Sequence, residues 1–169
     1  MSDAGKFARW ARTPGSDHVH TYAAEGAVLV ATLVVYRLAA HLGSEGLDGY
    51  ILARRTLSLA QPVLLLGLAV GLPRMVALTQ DAAIRRAYLL AALRITSVLS
   101  VTGMVLALLF PASVAGLLLG SAREGPLVAP LALMALGLCL LTVAYSYIRG
   151  THRTLRANIL QTVGTAAMP

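Results

Sequence analysis

The feature that most constrains this chain is a series of four long apolar segments. They cover residues 23–42, 50–72, 88–110 and 127–148. A helix needs roughly 20 residues to cross about 30 Å of hydrocarbon. A single apolar run in lipid must satisfy its backbone hydrogen bonds internally, which a helix does. The sequence therefore predicts an all-α protein, a polytopic bundle of four transmembrane helices.

The composition favours a membrane setting and argues against nucleic acid as a partner. The chain is 57% hydrophobic and 12% charged, with a mean hydropathy of +0.74, whereas a soluble domain is about one-quarter charged. The net charge is +7. The basic residues nevertheless lie at the ends of the apolar segments, without the dense basic patch of a nucleic-acid-binding protein. We therefore expect the lipid bilayer to be the partner.

The basic residues alternate between successive connections, and this alternation predicts the orientation. Nine lie before the first span, between the second and third, and after the fourth: Lys6, Arg9, Arg12, Arg74, Arg85, Arg86, Arg149, Arg153 and Arg156. The other two connections contain Arg123 with Glu45, Asp48 and Glu124. Cytoplasmic loops are enriched in Lys and Arg. We therefore expect a multi-pass protein of the inner (plasma) membrane with a cytoplasmic N-terminus.

This topology divides the chain into three parts. Residues 1–22 are a polar cytoplasmic segment without the apolar core of a signal peptide, and residues 23–156 are the four-helix transmembrane domain. Residues 157–169 are moderately apolar but too short to cross a bilayer. We interpret them as the start of an incomplete fifth helix.

Patterns typical of enzymes and of cofactor sites are missing from the sequence. It contains no Walker-type loop, no HExxH pair and no nucleophile elbow. His18 and His20 have no third ligand at a recognisable spacing, and Cys139 is the single cysteine, which excludes an intrachain disulfide. We predict that the protein is not an enzyme and needs neither a cofactor nor a metal.

Polar side chains inside the spans are costly in lipid and therefore indicate function. At 100° per residue they form one stripe on each of the first three spans. The stripes are Glu25, Thr32 and Tyr36; Arg54, Ser58 and Gln61 with Arg55 beside them; and Arg94, Ser97 and Ser100. Such stripes suit helices that face each other or a wet cavity. For each charged residue two interpretations stay open, because a long side chain near a helix end can also reach the headgroup region.

Three of the arginines lie near the outer ends of the first two spans. Together Arg37, Arg54 and Arg55 would attract an anionic substrate, because the guanidinium group is well suited to binding phosphate. Their position predicts a binding site for an anionic group at this end of the first two helices.

Two further features concern helix shape and packing. Pro62 lies in the middle of the second span and removes one backbone donor, which indicates a tolerated kink or a hinge. The sequences Gly67-x-x-x-Gly71 and Gly116-x-x-x-Gly120 permit close approach of helices.

One stretch resembles a known family of transporters. The run YRLAAHLGSEGLDGYILARRTLSLAQPVLLLGLAVGLPRMVAL is similar to the first two helices of polysaccharide and oligosaccharide flippases of the Wzx type. Their superfamily also contains the lipid II flippases and the multidrug and toxin extrusion transporters. The resemblance covers roughly residues 20–165. The elements that carry it are Arg37, Leu42-Gly43, Glu45-Gly46, Gly49-Tyr50, Gly71-Leu72-Pro73-Arg74, Arg149-Gly150, Arg153 and Asn158 to Gln161.

The resemblance implies a partial first lobe of a flippase-like fold, because members of the family have two lobes around a central cavity. It implies a polyprenyl-pyrophosphate-linked oligosaccharide as substrate, a role in polysaccharide export, and a missing second lobe or other membrane subunits as partners. Arg54 and Arg55 fall about where the lipid II flippases have a cavity arginine. Arg37 and Arg94 complete the predicted contacts with the phosphate and sugars. In such a transporter the lobes rock to open the cavity to alternate sides.

Two alternatives to this function stay open. A cation-coupled drug exporter of the same superfamily would need a carboxylate inside the membrane, and only Glu25 is available. A small membrane scaffold or accessory subunit would use the Gly-x-x-x-Gly faces for contact with other helices.

Overall fold

Helices form throughout the part of the chain that the structure describes. The computed structural model describes residues 14–41 and 43–167, and every regular element within them is helical. This confirms the all-α fold class. The α-helices are α1 (Pro14–His41), α2 (Ser44–Leu65), α3 (Leu68–Leu78), α4 (Ala82–Leu109), α5 (Pro111–Leu118), α6 (Gly125–Gly150) and α7 (Thr154–Ala167), with a 3-10 turn at Ala122–Glu124.

Helix α6 is the centre of the bundle. It packs against α2, α3, α4, α5 and α7, while α1 packs against α2 and α7. Buried apolar side chains form two clusters along α6, one beside α3 and α4 and the other beside α5. The first contains Leu65, Leu72, Val76, Ala92, Cys139 and Val143, and the second Ala107, Ala115, Leu119 and Val128.

Many large apolar side chains of the bundle point outward. The exposed fraction reaches 84% at Leu117 and 78% at Val70. In the long apolar helices at most 17% of the most apolar window is buried within the protein. Three helices are long and apolar enough to cross a membrane, and the bent pair α2–α3 makes four if it counts as one span. A soluble monomer rarely leaves so much contiguous apolar surface in water.

The predicted second span, residues 50–72, is not one continuous helix. Helix α2 passes through Pro62 and ends at Leu65, and α3 starts at Leu68 with its axis turned by 43°. The break consists of Leu66 and Gly67, which have φ angles of 48° and 78°. Glycine adopts such angles without steric cost. The kink expected at Pro62 therefore lies one turn later, where Leu66 N–H donates to the Pro62 and Val63 carbonyls.

The other predicted boundaries also move. Helix α1 begins at Pro14, so the last part of the predicted polar segment 1–22 is helical, and residues 1–13 lie outside the described part. Helix α4 starts six residues before the predicted span 88–110 because the Asp81 side chain caps it, accepting from Ala83 N–H at 2.7 Å. The predicted outer loop after it contains helix α5. The predicted span 127–148 becomes α6, and the predicted start at 157 becomes α7.

A side chain on α6 satisfies a backbone group that a proline leaves without a partner. Pro73 lies inside α3 and has no N–H for the carbonyl of Ala69, four residues before it. The Ser146 hydroxyl donates to that carbonyl at 3.3 Å, and Ser146 is buried. Such pairing matters most in an apolar medium, where water cannot replace it.

Close helix contacts use other glycines than the two predicted motifs. A Cβ on Gly150 would lie 2.8 Å from both the Pro73 carbonyl oxygen and Val76 Cβ, and a Cβ on Gly164 would overlap the Leu141 side chain. In contrast, Gly71 and Gly116 have no described atom within 4 Å of an added Cβ. Within the described part of the chain, the close approaches are therefore α3–α6 and α6–α7.

These contacts also bring basic segments to one end of the bundle. Because Gly150 lies against Pro73 and Val76, the end of α6 is beside the end of α3. Arg149 and Arg153 therefore lie at the same end as the α3–α4 connection. The predicted extracellular Arg123 lies at the other end, where Gly125 approaches the start of α5.

Candidate functional site

A polar cleft of about 220 Å³ lies between α1, α2 and α6. Its polar lining comes mainly from one face of α2, and apolar side chains from the other two helices close it. The lining residues are Val28, Thr32, Tyr50, Ala53, Arg54, Leu57, Ser58, Gln61, Met134 and Leu138. We call this feature the polar cleft.

The cationic group of the polar cleft is Arg54. Its Nη1 donates to the Tyr50 hydroxyl, one turn earlier on α2, at 2.9 Å. The Tyr50 ring in turn meets the Tyr36 ring of α1 edge to face, with centroids 5.2 Å apart. This pair of rings connects α1 to α2 and holds the phenol that orients the guanidinium. Arg54 is exposed, so most of its five donors can reach a ligand.

The inner part of the cleft is joined to α6 by a chain of hydrogen bonds. Gln61 Nε2 donates to the Thr142 hydroxyl at 2.8 Å, and that hydroxyl donates to the Leu138 carbonyl at 2.8 Å. On α2, the Ser58 hydroxyl donates to the Arg54 carbonyl at 2.9 Å. The side chains of this stripe are therefore held by local and interhelical bonds.

The expected meeting of the first two stripes is found for part of each. Thr32 from α1 faces Arg54, Ser58 and Gln61 from α2 across the polar cleft. Glu25 is exposed and lies outside the cleft lining. The helical spacing thus placed Thr32 on the side of α1 that faces the stripe of α2, but it grouped Glu25 with Thr32, and Glu25 does not line the cleft.

The structure does not bring the other three predicted arginines into the cleft. Arg37, Arg55 and Arg94 are exposed, and none of them lines it. Arg55 is displaced by about 100° around α2 from Arg54, because they are consecutive residues of one helix. Arg94 lies on α4, a helix that does not line the cleft.

The third stripe contributes to a different feature. An apolar pocket of about 510 Å³ lies on another side of α2, bounded also by α4, α5 and α6. Ser100 lines this pocket, whereas Ser97 and Arg94 do not. We call this feature the apolar pocket. The predicted cavity-facing stripe on the third span therefore holds for Ser100 alone.

Sequence reasoning missed the contribution of α6 to the cleft. Thr142 and Ser146 are polar residues four apart inside the fourth span, and both bond to α2 or α3. The same i, i+4 criterion that marked the other stripes would have identified them. Met134 and Leu138 had no such signal, because an apolar residue of a transmembrane helix can face lipid equally well.

Comparison with known proteins gave no match, whether with protein-family models, curated proteins or solved structures. The flippase resemblance therefore stays a prediction that rests on the residues quoted for it. Within the described residues, no group of three or more His, Cys, Asp or Glu side chains is placed to hold a metal ion. The functional argument consequently depends on the two cavities and the charges around them.

Proposed function

We propose that this chain is an integral membrane protein whose polar cleft binds the anionic head group of a lipid-linked glycan, as part of a flippase-like transporter. The observation that carries the proposal is an arginine, Arg54, lining a polar cleft between helices whose outer surfaces are apolar. A charged residue within such helices is costly and is kept where it has a ligand or a pathway to serve.

The membrane setting is supported by where apolar and basic side chains lie. The long helices present large apolar side chains outward, as lipid-facing helices do. Arg149 and Arg153 share one end of the bundle with the α3–α4 connection, next to Arg85 and Arg86 on α4. By the positive-inside rule this is the cytoplasmic end. The start of α1 lies there too, since Asn158 of α7 donates to Thr21 at 3.2 Å.

The chemistry of the cleft suits a phosphate group bearing a sugar. Guanidinium binds phosphate oxygens through two parallel donors, and Tyr50 keeps the group in place. Hydroxyl and amide groups of Thr32, Ser58 and Gln61 supply the mixed donors and acceptors that sugar hydroxyls need. Ser58 and Gln61 lie on the same wall of the cleft as Arg54, and Thr32 faces them from α1.

The size of the cleft limits what this chain binds alone. Its volume of about 220 Å³ is below the roughly 300–1,000 Å³ of small-molecule sites. A pyrophosphate and the first part of a sugar match this space, while a whole oligosaccharide requires more walls. The proposal therefore includes further helices, from a second lobe or another subunit, around the glycan.

Orientation in the membrane can be tested by labelling single cysteines. In a Cys139→Ser background, Asp48→Cys and Gln80→Cys place a thiol at opposite ends of the bundle, and both positions are exposed. A membrane-impermeant maleimide should label position 48 but not position 80 in intact cells, and both after permeabilisation. Labelling of position 80 in intact cells would refute the cytoplasmic assignment.

Binding can be tested with undecaprenyl pyrophosphate and the purified protein in lipid nanodiscs. Arg54→Gln should weaken binding by at least about tenfold, since a hydrogen bond to a charged group contributes about 1.5–3 kcal/mol. Arg86→Gln, an exposed arginine of α4 outside the cleft, is the matched control. Equal affinity of wild type and Arg54→Gln would rule out the cleft as the head-group site.

Transport itself can be tested in cells. A strain that lacks its lipid-linked oligosaccharide flippase is complemented with the complete gene, either wild type or carrying Arg54→Ala or Arg86→Gln. We expect export of glycan with wild type and Arg86→Gln but not with Arg54→Ala at equal expression. Undiminished export with Arg54→Ala would contradict the proposal.

A second candidate function is that of a membrane scaffold or accessory subunit. It is favoured by two glycines that no other part of the described chain contacts closely. Gly71 and Gly116 have no described atom near an added Cβ, so their faces are free to receive a helix of another chain. Replacing each by Leu should disrupt a complex while leaving the purified single chain folded. Size-exclusion chromatography of the solubilised membrane complex distinguishes this role from that of a ligand-binding lobe.

A further inference from the structure

The apolar pocket is a surface cavity that lies apart from the proposed head-group site. Its lining is apolar except for Thr56 and Ser100. The Thr56 hydroxyl donates to the Leu118 carbonyl at 3.4 Å, closing the pocket between α2 and α5. The mouth opens on the outer surface, because Leu59 and Leu117 line the pocket and are also 70% and 84% exposed.

The chemistry of this pocket selects a hydrocarbon chain. The pocket is open at the surface, and its volume of about 510 Å³ is within the range of ligand sites. The mouth lies on a surface of exposed leucine and valine side chains, so in a membrane the molecules that reach it first are lipid chains. A hydrocarbon chain matches this lining, in which Thr56 already donates to a carbonyl and the Ser100 hydroxyl is the one buried polar group without a hydrogen-bond partner in the described chain.

The charge beside the pocket comes from Arg55. Arg54 lines the polar cleft. Arg55 lines neither cavity but shares a face of α2 with Leu59 and Val63, at i+4 and i+8. Both of these apolar residues line the apolar pocket. Arg55 is exposed and has no hydrogen-bond or ion-pair partner among the side chains that the structure describes. Its positive charge near the pocket face complements a phosphate attached to the bound chain.

We propose that the apolar pocket binds one hydrocarbon chain of an anionic phospholipid from the surrounding bilayer, with Arg55 contacting its phosphate. The proposal rests on the membrane setting of the proposed function, but not on transport or on the polar cleft. It assigns the two adjacent arginines to two different ligands on two sides of one helix.

The pocket is tested by filling it. At Gly103 of α4, which lines the pocket, an added Cβ would meet only Leu64 Cδ2 at 3.9 Å, an ordinary contact. Gly103→Phe should therefore fold and occupy the space of the lipid chain. Val98→Phe, at an exposed position of the same helix outside the pocket lining, is the matched control. Ala132→Phe fills the pocket from α6 and provides a second variant in case Gly103→Phe unfolds.

The readout is native mass spectrometry of the purified chain, released from mild detergent after incubation with equal amounts of phosphatidylglycerol and phosphatidylcholine. We expect wild type and Val98→Phe to retain one phosphatidylglycerol, and the filled variants to retain no lipid. Arg55→Gln should lower the affinity for phosphatidylglycerol about fivefold, to that for phosphatidylcholine, as removal of one interfacial charge implies. Arg55→Lys should keep the preference, and Arg86→Gln should leave it unchanged.

Several outcomes would overturn the proposal. They are a wild-type protein that retains no lipid, retention that is undiminished in both filled variants, or a preference for phosphatidylglycerol that survives Arg55→Gln. Crosslinking of another protein to Leu117→Cys, in a Cys139→Ser background, would also overturn it, because a protein helix would then cover the pocket. Undecaprenyl pyrophosphate binding is measured on the same samples. If the wild-type protein retains phospholipid but does not bind undecaprenyl pyrophosphate, only the proposal for the cleft is refuted. If it binds undecaprenyl pyrophosphate but retains no phospholipid, only the proposal for the pocket is refuted.

Discussion

Helix α6 contacts its neighbours in two different ways on its two sides. Towards α3 and α4 the contact is dense: Gly150 lies against Pro73 and Val76, and Cys139 and Val143 are almost completely buried. Towards α1 and α2 the contact is open, and among the described residues one side-chain hydrogen bond, Gln61 to Thr142, joins α2 to α6 beside the polar cleft.

The difference separates a closely packed side of α6 from a side that keeps space for the proposed ligand. In lipid there is no hydrophobic driving force for helices to associate, so tight association depends on small residues and on polar groups that are hydrogen-bonded. The α3–α6 side has both, in Gly150 and in the Ser146 bond to Ala69. The α2–α6 side keeps space and an exposed arginine instead, an arrangement that contributes little to packing but can accept a ligand.

The largest effect is expected from enlarging Gly150, the smallest residue in the dense contact between α3 and α6. Gly150→Ala should lower the free energy of unfolding by about 2 kcal/mol, in the range for overpacking, because the new Cβ meets backbone atoms of Pro73. Unfolding by SDS in mixed micelles, followed by circular dichroism, measures the loss. Gly164→Ala, whose Cβ meets only the Leu141 side chain, should cost less. An equal or smaller cost at position 150 would show that the Pro73 backbone is not the obstacle to a larger side chain.

The next effect concerns the polar bond on the same side. Ser146→Ala should cost about 1–2 kcal/mol, because the Ala69 carbonyl loses its donor. Pro73→Ala restores a backbone N–H for that carbonyl, so the cost of Ser146→Ala should shrink in its presence. Ser113→Ala, at an exposed position of α5, should be neutral. A cost that is unchanged by Pro73→Ala would show that the carbonyl is not the reason.

A smaller effect is expected on the open side. Gln61→Leu should cost about 0.6 kcal/mol, the average for hydrogen bonds between membrane helices, since only one bond to α6 is lost. The double variant Gln61→Leu with Thr142→Val should cost no more than the single one. A loss as large as that of Gly150→Ala would mean that the α2–α6 side is also a structural interface.

The smallest effect is expected at a predicted packing motif that the described chain does not use. Gly71→Ala should change the stability of the purified single chain by less than about 0.5 kcal/mol, because the site is open and alanine favours helix. The same SDS titration measures it. A clear loss of stability would show that Gly71 packs against something within the chain.

Prediction succeeded where a local pattern decided the outcome. Residue spacing alone placed Thr32, Arg54, Ser58 and Gln61 on facing sides, because helix geometry fixes which residues share a face. It separated Arg54 from Arg55 less well, since a cluster of charges along the sequence says nothing about the 100° between neighbours. The Gly-x-x-x-Gly motifs do not mark close contacts within the described chain, for a related reason: a glycine permits close approach of two helices but does not supply the second helix.

The sequence by itself determined that the chain is helical, that its long helices are apolar enough to cross a membrane, and which faces carry polar residues. These properties follow from composition and from a period of 3.6 residues. Only the tertiary structure decided that α2 and α3 are bent apart at Leu66–Gly67, that Ser146 pairs with Ala69, and that Arg54 lines the polar cleft while Arg55 does not. Such contacts join residues about 80 positions apart, as in Gln61 and Thr142, and depend on how several helices pack at once.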